Sequence, residues 1–342
     1  MSNGPTVTVA GAGALGLATA LALVDAGCRV TVWDPSRRNA SGVAAGMLAP
    51  AFEAVLDETA RPHFDALIAA RDLWPALESR AGVRLDRSGA LAVGPASWLA
   101  DVSSEFTRFG LRAAELSPAT AATLTYGLSD DCAGALLTRE DWRLSPAQAL
   151  AALRATAEAA GVTFRHGEVK DRGEADWLVI ATGASTGLAD LAPELAILTP
   201  IKGHILRLAD ASPPAMTIRG PGVYIAPGEG GVVIGATMEA GVADPTIDPL
   251  RGPPLLAAAA RLVPRLAQTP FELQAGIRAA TPDGMPLAGL GRTPRVAIAA
   301  GARRNGWLLA PLVAQVVVAH VLDREPGPFA TRLDPARFGE EG

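Results

Sequence analysis

Val7-Thr8-Val9-Ala10-Gly11-Ala12-Gly13-Ala14-Leu15-Gly16 continues as Leu17 to Ala26, Gly27, Cys28-Arg29-Val30-Thr31-Val32-Trp33 and Asp34. The first four residues form an apolar, β-branched run of the kind that makes a buried strand. Leu17 to Ala26 is an Ala/Leu-rich helix closed by Gly27, and Cys28 to Trp33 is a second strand with Asp34 at its end. Each glycine has a physical task. Gly11 permits the tight turn off the strand, Gly13 lets a pyrophosphate approach the backbone, and Gly16 lets helix and strand pack closely. Phosphates then meet free N–H groups at the helix N-terminus, around Gly13, Ala14 and Leu15. Asp34, eighteen residues past Gly16, can accept hydrogen bonds from ribose hydroxyls. A GxGxxG on its own also occurs as a structural turn. With strand, helix, second strand and acid in register around it, the stretch predicts dinucleotide binding.

The surrounding chain bounds the answer further. Its 342 residues are 49% hydrophobic and 19% charged, enough for two domains and a large core. A net charge of −5 without a long basic run argues against nucleic acid as the main partner. Cys28 and Cys132 are the only cysteines, which fits a reducing, cytoplasmic setting and excludes a disulfide framework or a cysteine-based zinc site. His63, His166, His204 and His320 are scattered without ligand spacing, so no metal site is expected. The apolar run at 7–26 is not read as a signal peptide, because no basic residue precedes it and the glycine motif lies inside it. Leu308 to Leu322 is short for a membrane span and carries Pro311, Gln315 and His320. A soluble protein is expected.

Further along, Gly42 to Pro50 has almost no bulk before Met47. Such a series fits either a tight crossing of elements or a planar ligand lying on the backbone. The pattern predicts an amphipathic helix over 63–81, alternating strands within 83–93, and helices over 98–109 and 117–124. Ser145 as N-cap and Pro146 at the first position start a helix that Gly161 ends. Asp176 to Gly183 is an apolar strand running into Ala181-Thr182-Gly183, a buried parallel strand ending where backbone approaches a ligand. From Ile201 to Ile277 the character is antiparallel, with a hairpin over 223–235 turning at Gly228-Glu229-Gly230-Gly231. Val296 to Ala300, the loop to Gly306 and a helix over 307–322 return to the first pattern. Parallel-sheet signals at start, middle and end predict interleaved domains, one from 1–50, 145–190 and 285–342, the other from 51–144 and 191–284.

Taken together, the motifs resemble the D-amino-acid-oxidase-like flavoproteins, in their glycine-oxidase branch of thiamine biosynthesis. The resemblance spans essentially the whole chain. It rests on Gly11 to Gly16 with Asp34, Ala44-Ala45-Gly46-Met47-Leu48, Ala181-Thr182-Gly183, Tyr224, and Gly235-Ala236-Thr237-Met238. Gly276-Ile277-Arg278, Thr281-Pro282-Asp283-Gly284, Arg304-Asn305-Gly306 and Leu308-Leu309-Ala310-Pro311 complete it. It implies an α/β Rossmann-type FAD-binding domain interleaved with an antiparallel-sheet α+β substrate domain. The cofactor would be non-covalent FAD, its pyrophosphate on Gly11 to Gly16 and its ribose on Asp34 and Pro35. Ser41, Ala45, Gly46 and Met47 would line the flavin, Val169 the adenine, and Ala302, Arg303, Arg304, Asn305, Gly306, Trp307 and Leu308 the isoalloxazine. A helix starting near Trp307 also aims its positive end at the flavin, independently of the resemblance.

The resemblance places Arg278, Arg304, Tyr224 and Met238 at the substrate. For Arg278 the residues agree: a charge in the apolar strand Ala275 to Ala280 requires a partner, and a bidentate carboxylate supplies one. Tyr224 in an alternating strand fits core packing equally well. Ala302 and Arg303 stand where glycine oxidases typically carry a histidine and an aromatic residue, and Trp307 follows the glycine. The implied reaction is oxidative deamination of a small amino acid or amine, with hydride passing to FAD and O2 as acceptor. No side-chain base is obligatory in this family. A dehydrogenase using another acceptor and a non-catalytic flavin-binding subunit stay open, as does a homo-oligomer. Covalent flavin is disfavoured because neither cysteine lies near the C-terminal loop.

Overall fold

A computed structural model describes residues 4–37 and 39–339; positions 1–3 and 340–342 of the expected cofactor domain, and Arg38, lie outside the described residues. The opening stretch folds as read. Strand Thr6–Ala10 and strand Arg29–Asp34 pair in parallel, and helix Ala14–Asp25 connects them. Trp177–Ile180 joins Thr6–Ala10 on its other side, also in parallel, with Val7 opposite Trp177 and Ala10 opposite Ile180. Val296–Ala300 lies beyond it, Thr163–His166 flanks Arg29–Asp34, and Leu287–Leu290 closes the far edge antiparallel. Buried on both faces, Trp177–Ile180 and Val296–Ala300 are apolar throughout, as a central parallel strand must be.

One face of this six-stranded sheet carries helices Ala14–Asp25, Pro146–Ala159 and Gly306–Val321. Their core includes Leu17, Leu21, Leu153, Leu309 and Val313. Leu67, Ala70 and Trp74, expected with the substrate half, pack into that same core against the C-terminal helix. Leu188, Leu195 and Leu198 cover the other face.

The second large sheet has nine strands among the described residues. Its spine is Thr199–Leu208, paired with Glu272–Ala280 along its whole length and with Gly231–Gly235 on the other side. The hairpin Val223–Gly228/Gly231–Gly235 turns through Glu229 and Gly230. The sheet is mixed, since Ala90–Val93 runs parallel to Thr217–Gly220. Helix Gly252–Leu262 packs Leu255, Ala259 and Leu262 on one face, and the other face looks towards the cofactor sheet.

Three local expectations are corrected. The helix over 63–81 is broken into Phe64–Asp72 and Trp74–Ala81, because Pro75 lacks an N–H and its ring clashes with the preceding turn. Ala90–Val93 does not alternate; it is buried on both sides within the large sheet. Ser145 sits at the N-cap position, but its hydroxyl makes no cap bond and donates to Glu229 instead.

The tightest constraint is the helix–strand approach. A Cβ at Gly16 would lie 2.0 Å from Gly11 O and 3.3 Å from the Ala181 Cβ, and one at Gly11, whose φ is +108°, 2.4 Å from Ala181 O. Gly16→Ala therefore forces the helix off the sheet, and overpacking of this kind costs about 1–3 kcal/mol. Thermal unfolding of the cofactor-free variant should show a lowered Tm; an unchanged Tm would mean that the helix backs away freely.

Candidate active site

Two cavities meet where the sheets face each other. The first, about 580 Å³, follows the glycine turn. Gly11, Gly13, Ala14, Leu15, Asp34, Pro35 and Ser41 line it from the first half of the chain. Val169, Thr182, Gly183, Ala302, Arg303 and Gly306 line it from later segments. Gly16 lies beneath it, spent on packing. Gly13 differs in kind from its two neighbours: a Cβ there would meet only Ser41 Oγ, at 3.1 Å. At Gly13 the near neighbour is thus a side chain on the cavity wall rather than backbone, and the residue lines the cavity. Ser41 pins the far wall, accepting from Ala14 N–H at 3.0 Å through Oγ and from Trp307 Nε1 at 3.0 Å through its carbonyl. Asp34 accepts from Ser36 N–H at 3.0 Å and lies at the outer end.

The second cavity, about 380 Å³, is lined by Ala45, Gly46, Met47, Tyr224, Met238, Arg278, Arg304, Asn305 and Trp307. Ala40, Gly276 and Arg278 line both. At this junction Gly276 packs against the short helix Ala40–Val43, where a Cβ would make ordinary contacts at 3.4 Å with Ala40 and Val43. Helix Gly306–Val321 starts here too, and its N–H groups open towards the junction. Trp307 is almost fully buried and tilts against Trp74, with ring centroids 6.2 Å apart. Leu308 lines neither cavity; its side chain is in the core.

The charges in the second cavity are sorted by two carboxylates that sequence reading passed over. Glu53, 3% exposed on helix Pro50–Leu56, lies 3.1 Å from Arg219 Nη2 and 2.8 Å from Arg304 Nε. Asp57 pairs with Arg303 and lies 3.3 Å from Arg304 Nη1. Burial pushes the Glu53 carboxyl up, but Arg304 and Arg219 outweigh it and hold the group below the usual carboxylate range. Asp57 is lowered in the same way: burial opposes, and Arg303 and Arg304 prevail. Asp141 caps the same helix, accepting from Ala51 N–H at 2.8 Å and Phe52 N–H at 3.1 Å, and burial pushes it up to about 7.

Arg278 stands apart. Its Nη1 lies 3.3 Å from Thr237 O and 3.3 Å from Met238 Sδ, and no carboxylate pairs with it among the described residues. Burial, with repulsion from Arg304 and Arg303, lowers its pKa from the ordinary value. The guanidinium lies flat on Gly203, where a Cβ would be 2.3 Å from Nη1 and 2.6 Å from Cζ. Tyr224 uses the same device: a Cβ at Gly235 would be 2.3 Å from its hydroxyl. Burial raises the Tyr224 pKa, so the hydroxyl stays protonated at neutral pH and can donate.

Residues 6–320 match the family described as FAD dependent oxidoreductase. The chain belongs to that family. It is similar to the bifunctional protein ThiO/ThiG of Trichormus variabilis, 29% identical over 98% of this chain and 55% of that protein. A Rhizobium etli protein provisionally named thiamine biosynthesis oxidoreductase ThiO is 31% identical over 94% of this chain and 98% of its own length. The tRNA 5-methylaminomethyl-2-thiouridine biosynthesis bifunctional protein MnmC of Caulobacter vibrioides is 31% identical over 96% of this chain and 56% of that protein. The chain thus spans about half the length of its bifunctional relatives. Among solved structures, glycine oxidase from Geobacillus kaustophilus superposes with a TM-score of 0.82 at 27% identity, covering 98% of this chain and 100% of that one.

As a member of this family the oxidoreductase uses FAD, and its residues fit that cofactor. Gly13, the helix N-terminus at Ala14 and the carboxylate of Asp34 line one cavity, and backbone N–H groups and a carboxylate are the groups that pyrophosphate and ribose require. Among the described residues no cluster suited to a metal ion occurs.

Of the residues missed in the sequence, Glu53 left a signal: a lone carboxylate in Pro50-Ala51-Phe52-Glu53-Ala54-Val55 needs a buried cation. Gly203 left none, because only the fold lays Arg278 on it. Two outcomes follow for this oxidoreductase. Gly203→Ala meets the movable end of Arg278 rather than backbone, so Tm should hardly change; on the expectation that Arg278 holds the substrate, KM should rise about tenfold or more, as for loss of a charged hydrogen bond, and an unaltered KM would count against that role or against the need for the platform. Glu53→Gln leaves Arg219 and Arg304 underneutralised and should destabilise the fold by about 3–5 kcal/mol. Because the folded pKa lies below the ordinary 4.5, the carboxylate stabilises above that pH and its contribution is lost as pH falls through the folded value. Denaturant titrations below pH 4.5 should therefore show a shallower pH slope in Glu53→Gln than in wild type.

Proposed function

We propose that this FAD-dependent oxidoreductase oxidises the C–N bond of a small amino acid or amine, in the manner of glycine oxidase. The observation that carries the reading is the unpaired Arg278 guanidinium in a cavity whose other arginines are matched by Glu53 and Asp57. A substrate carboxylate completes that charge balance with two parallel hydrogen bonds. Arg304 also lines the cavity, but its Nε and Nη1 face Glu53 and Asp57. In this reading it shapes the field around the substrate, and Arg278 is the anchor. The Tyr224 hydroxyl donates beside the carboxylate, and Met238 closes the wall. Non-covalent FAD would supply the two-electron acceptor for the α-carbon hydride, with O2 as the final oxidant giving hydrogen peroxide; the amine loses a proton with the hydride, and water would hydrolyse the resulting imine to a 2-oxo acid and ammonia. The chain's own residues orient the substrate, and orientation supplies the catalysis. The similarity to glycine oxidase and to a ThiO-named protein supports a small amino-acid substrate and a place in thiamine biosynthesis. Among the described residues no helix is long and apolar enough to cross a membrane.

The protein should purify yellow and release FAD on denaturation; flavin remaining with the precipitated chain would overturn non-covalent binding. Glycine, sarcosine and D-amino acids should be screened for anaerobic bleaching of the flavin, followed by reoxidation in air. Reoxidation much slower than turnover with an artificial acceptor would make the protein a dehydrogenase. For the best substrate, Arg278→Ala should lower kcat/KM by roughly thirtyfold to several thousandfold, the effect of removing one partner of a desolvated charge pair. The flavin spectrum should persist, and the preference for an amino acid over its decarboxylated amine should vanish. Normal turnover of the amino acid by that variant would place the carboxylate elsewhere.

A further inference from the structure

His204 is fully buried in strand Thr199–Leu208, between Gly203, on which Arg278 lies, and the apolar Ile205. Both its ring nitrogens and its backbone are engaged. Nδ1 lies 3.0 Å from Glu239 Oε1 and 3.2 Å from Thr237 Oγ1. The backbone N–H donates to Thr237 Oγ1 at 2.8 Å, and the backbone carbonyl accepts from Thr237 N–H at 3.2 Å. Nε2 lies 3.1 Å from the backbone nitrogen of Asp248. An amide N–H can only donate, so Nε2 is the acceptor and the ring proton resides on Nδ1, facing Glu239. That tautomer spans two points of the chain nine residues apart.

Both points bear on the active site. Thr237 O receives Arg278 Nη1, and Met238 Sδ touches the same nitrogen. Between Glu239 and Asp248 the chain leaves the sheet, and Pro245 and Ile247 form part of the wall of the cofactor cavity. Arg251 reinforces the closure from outside, 3.0 Å from Glu239 Oε2 and 3.1 Å from Asp248 Oδ2. Those ion pairs are half-exposed and screened by solvent, whereas the imidazole link is dry. Removing the imidazole leaves the part-buried Asp248 N–H without its acceptor and takes one donor from Glu239 Oε1, which then keeps only the Thr237 hydroxyl at 3.0 Å, so the link between the two points is lost.

We infer that His204 is a positioning residue: its neutral imidazole ties Thr237–Glu239 to Asp248, and thereby sets the Arg278 guanidinium and the 241–248 wall in one arrangement. The inference rests on the reading of Arg278 as a carboxylate anchor, and the test separates the two. Holoenzyme is titrated with acetate, a carboxylate that cannot be oxidised as an amine, and binding is followed as a perturbation of the flavin absorption band. Hydrogen–deuterium exchange over 241–248 is measured on the same samples. In wild type acetate should perturb the flavin, and in Arg278→Ala it should not. In His204→Phe, FAD should be retained, acetate should bind about tenfold more weakly, and exchange at the Asp248 end should accelerate. A purely structural role would instead lower FAD retention and Tm and leave the acetate affinity of the folded holoenzyme unchanged. Should His204→Phe fail to fold, Glu239→Gln removes the charge that orients the imidazole and should move both readouts in the same direction by a smaller amount. Wild-type acetate affinity together with wild-type exchange in either variant overturns the inference. Acetate binding that ignores Arg278→Ala overturns the anchor reading instead, and the exchange arm then decides the role of His204 on its own.

Discussion

Two carboxylates buried among four guanidinium groups set the charge balance of the second cavity. Glu53 and Asp57 lie within reach of Arg219, Arg303 and Arg304. Removing charges from water costs several kcal/mol per ion, and such a cluster persists only where attraction and hydrogen bonding offset that cost. Here the offset is selective. Three cations share two anions, while Arg278 is left facing the junction of the cavities. The network therefore acts on binding by what it withholds: the matched arginines keep their charges spent, and the unmatched one is available to a ligand.

Geometry makes that availability specific. Arg278 and Tyr224 come from strands Glu272–Ala280 and Val223–Gly228, which lie on either side of the adjacent pair Thr199–Leu208 and Gly231–Gly235. Each is laid flat by a glycine on a neighbouring strand, Gly203 and Gly235 respectively. A side chain resting on bare backbone has fewer rotamers to lose when a ligand arrives, so less entropy opposes binding. The same economy of volume appears on the cofactor side. There Gly11 and Gly16 are consumed by helix–strand contact, whereas the near neighbour of Gly13 is the Ser41 hydroxyl. Three glycines of one motif thus divide into two fixed against backbone and one beside a side chain of the cavity wall.

The cofactor half was legible in the sequence because its signals are local. A strand, three spaced glycines, a helix and an acid lie within 28 residues, and sterics alone fix what such a run can do. Trp177–Ile180 and Val296–Ala300 were legible for a related reason: a strand covered on both faces must be apolar throughout. Helix Phe64–Asp72 was misread as part of a longer one because the apolar periodicity runs through Pro75, while the backbone there cannot. Ser145 has the right residue type for a cap, but Glu229, distant in sequence, captured its hydroxyl.

What the sequence by itself determined is the family of folds and the glycine turn, and it marked Arg278 as a charge in an apolar strand, where burial without a partner is costly. Tertiary structure alone decided which arginine is free. Glu53 and Arg219 are 166 residues apart, Asp57 and Arg304 are 247 apart, and no periodicity or propensity relates them. Pairing among charges depends on distance in space, which falls off over a few ångströms, whereas sequence patterns report only neighbours along the chain. His204 shows the same limit. Its spacing suggests no role, and only the sheet that brings Thr237, Glu239 and Asp248 around it turns a buried histidine into a fixed joint.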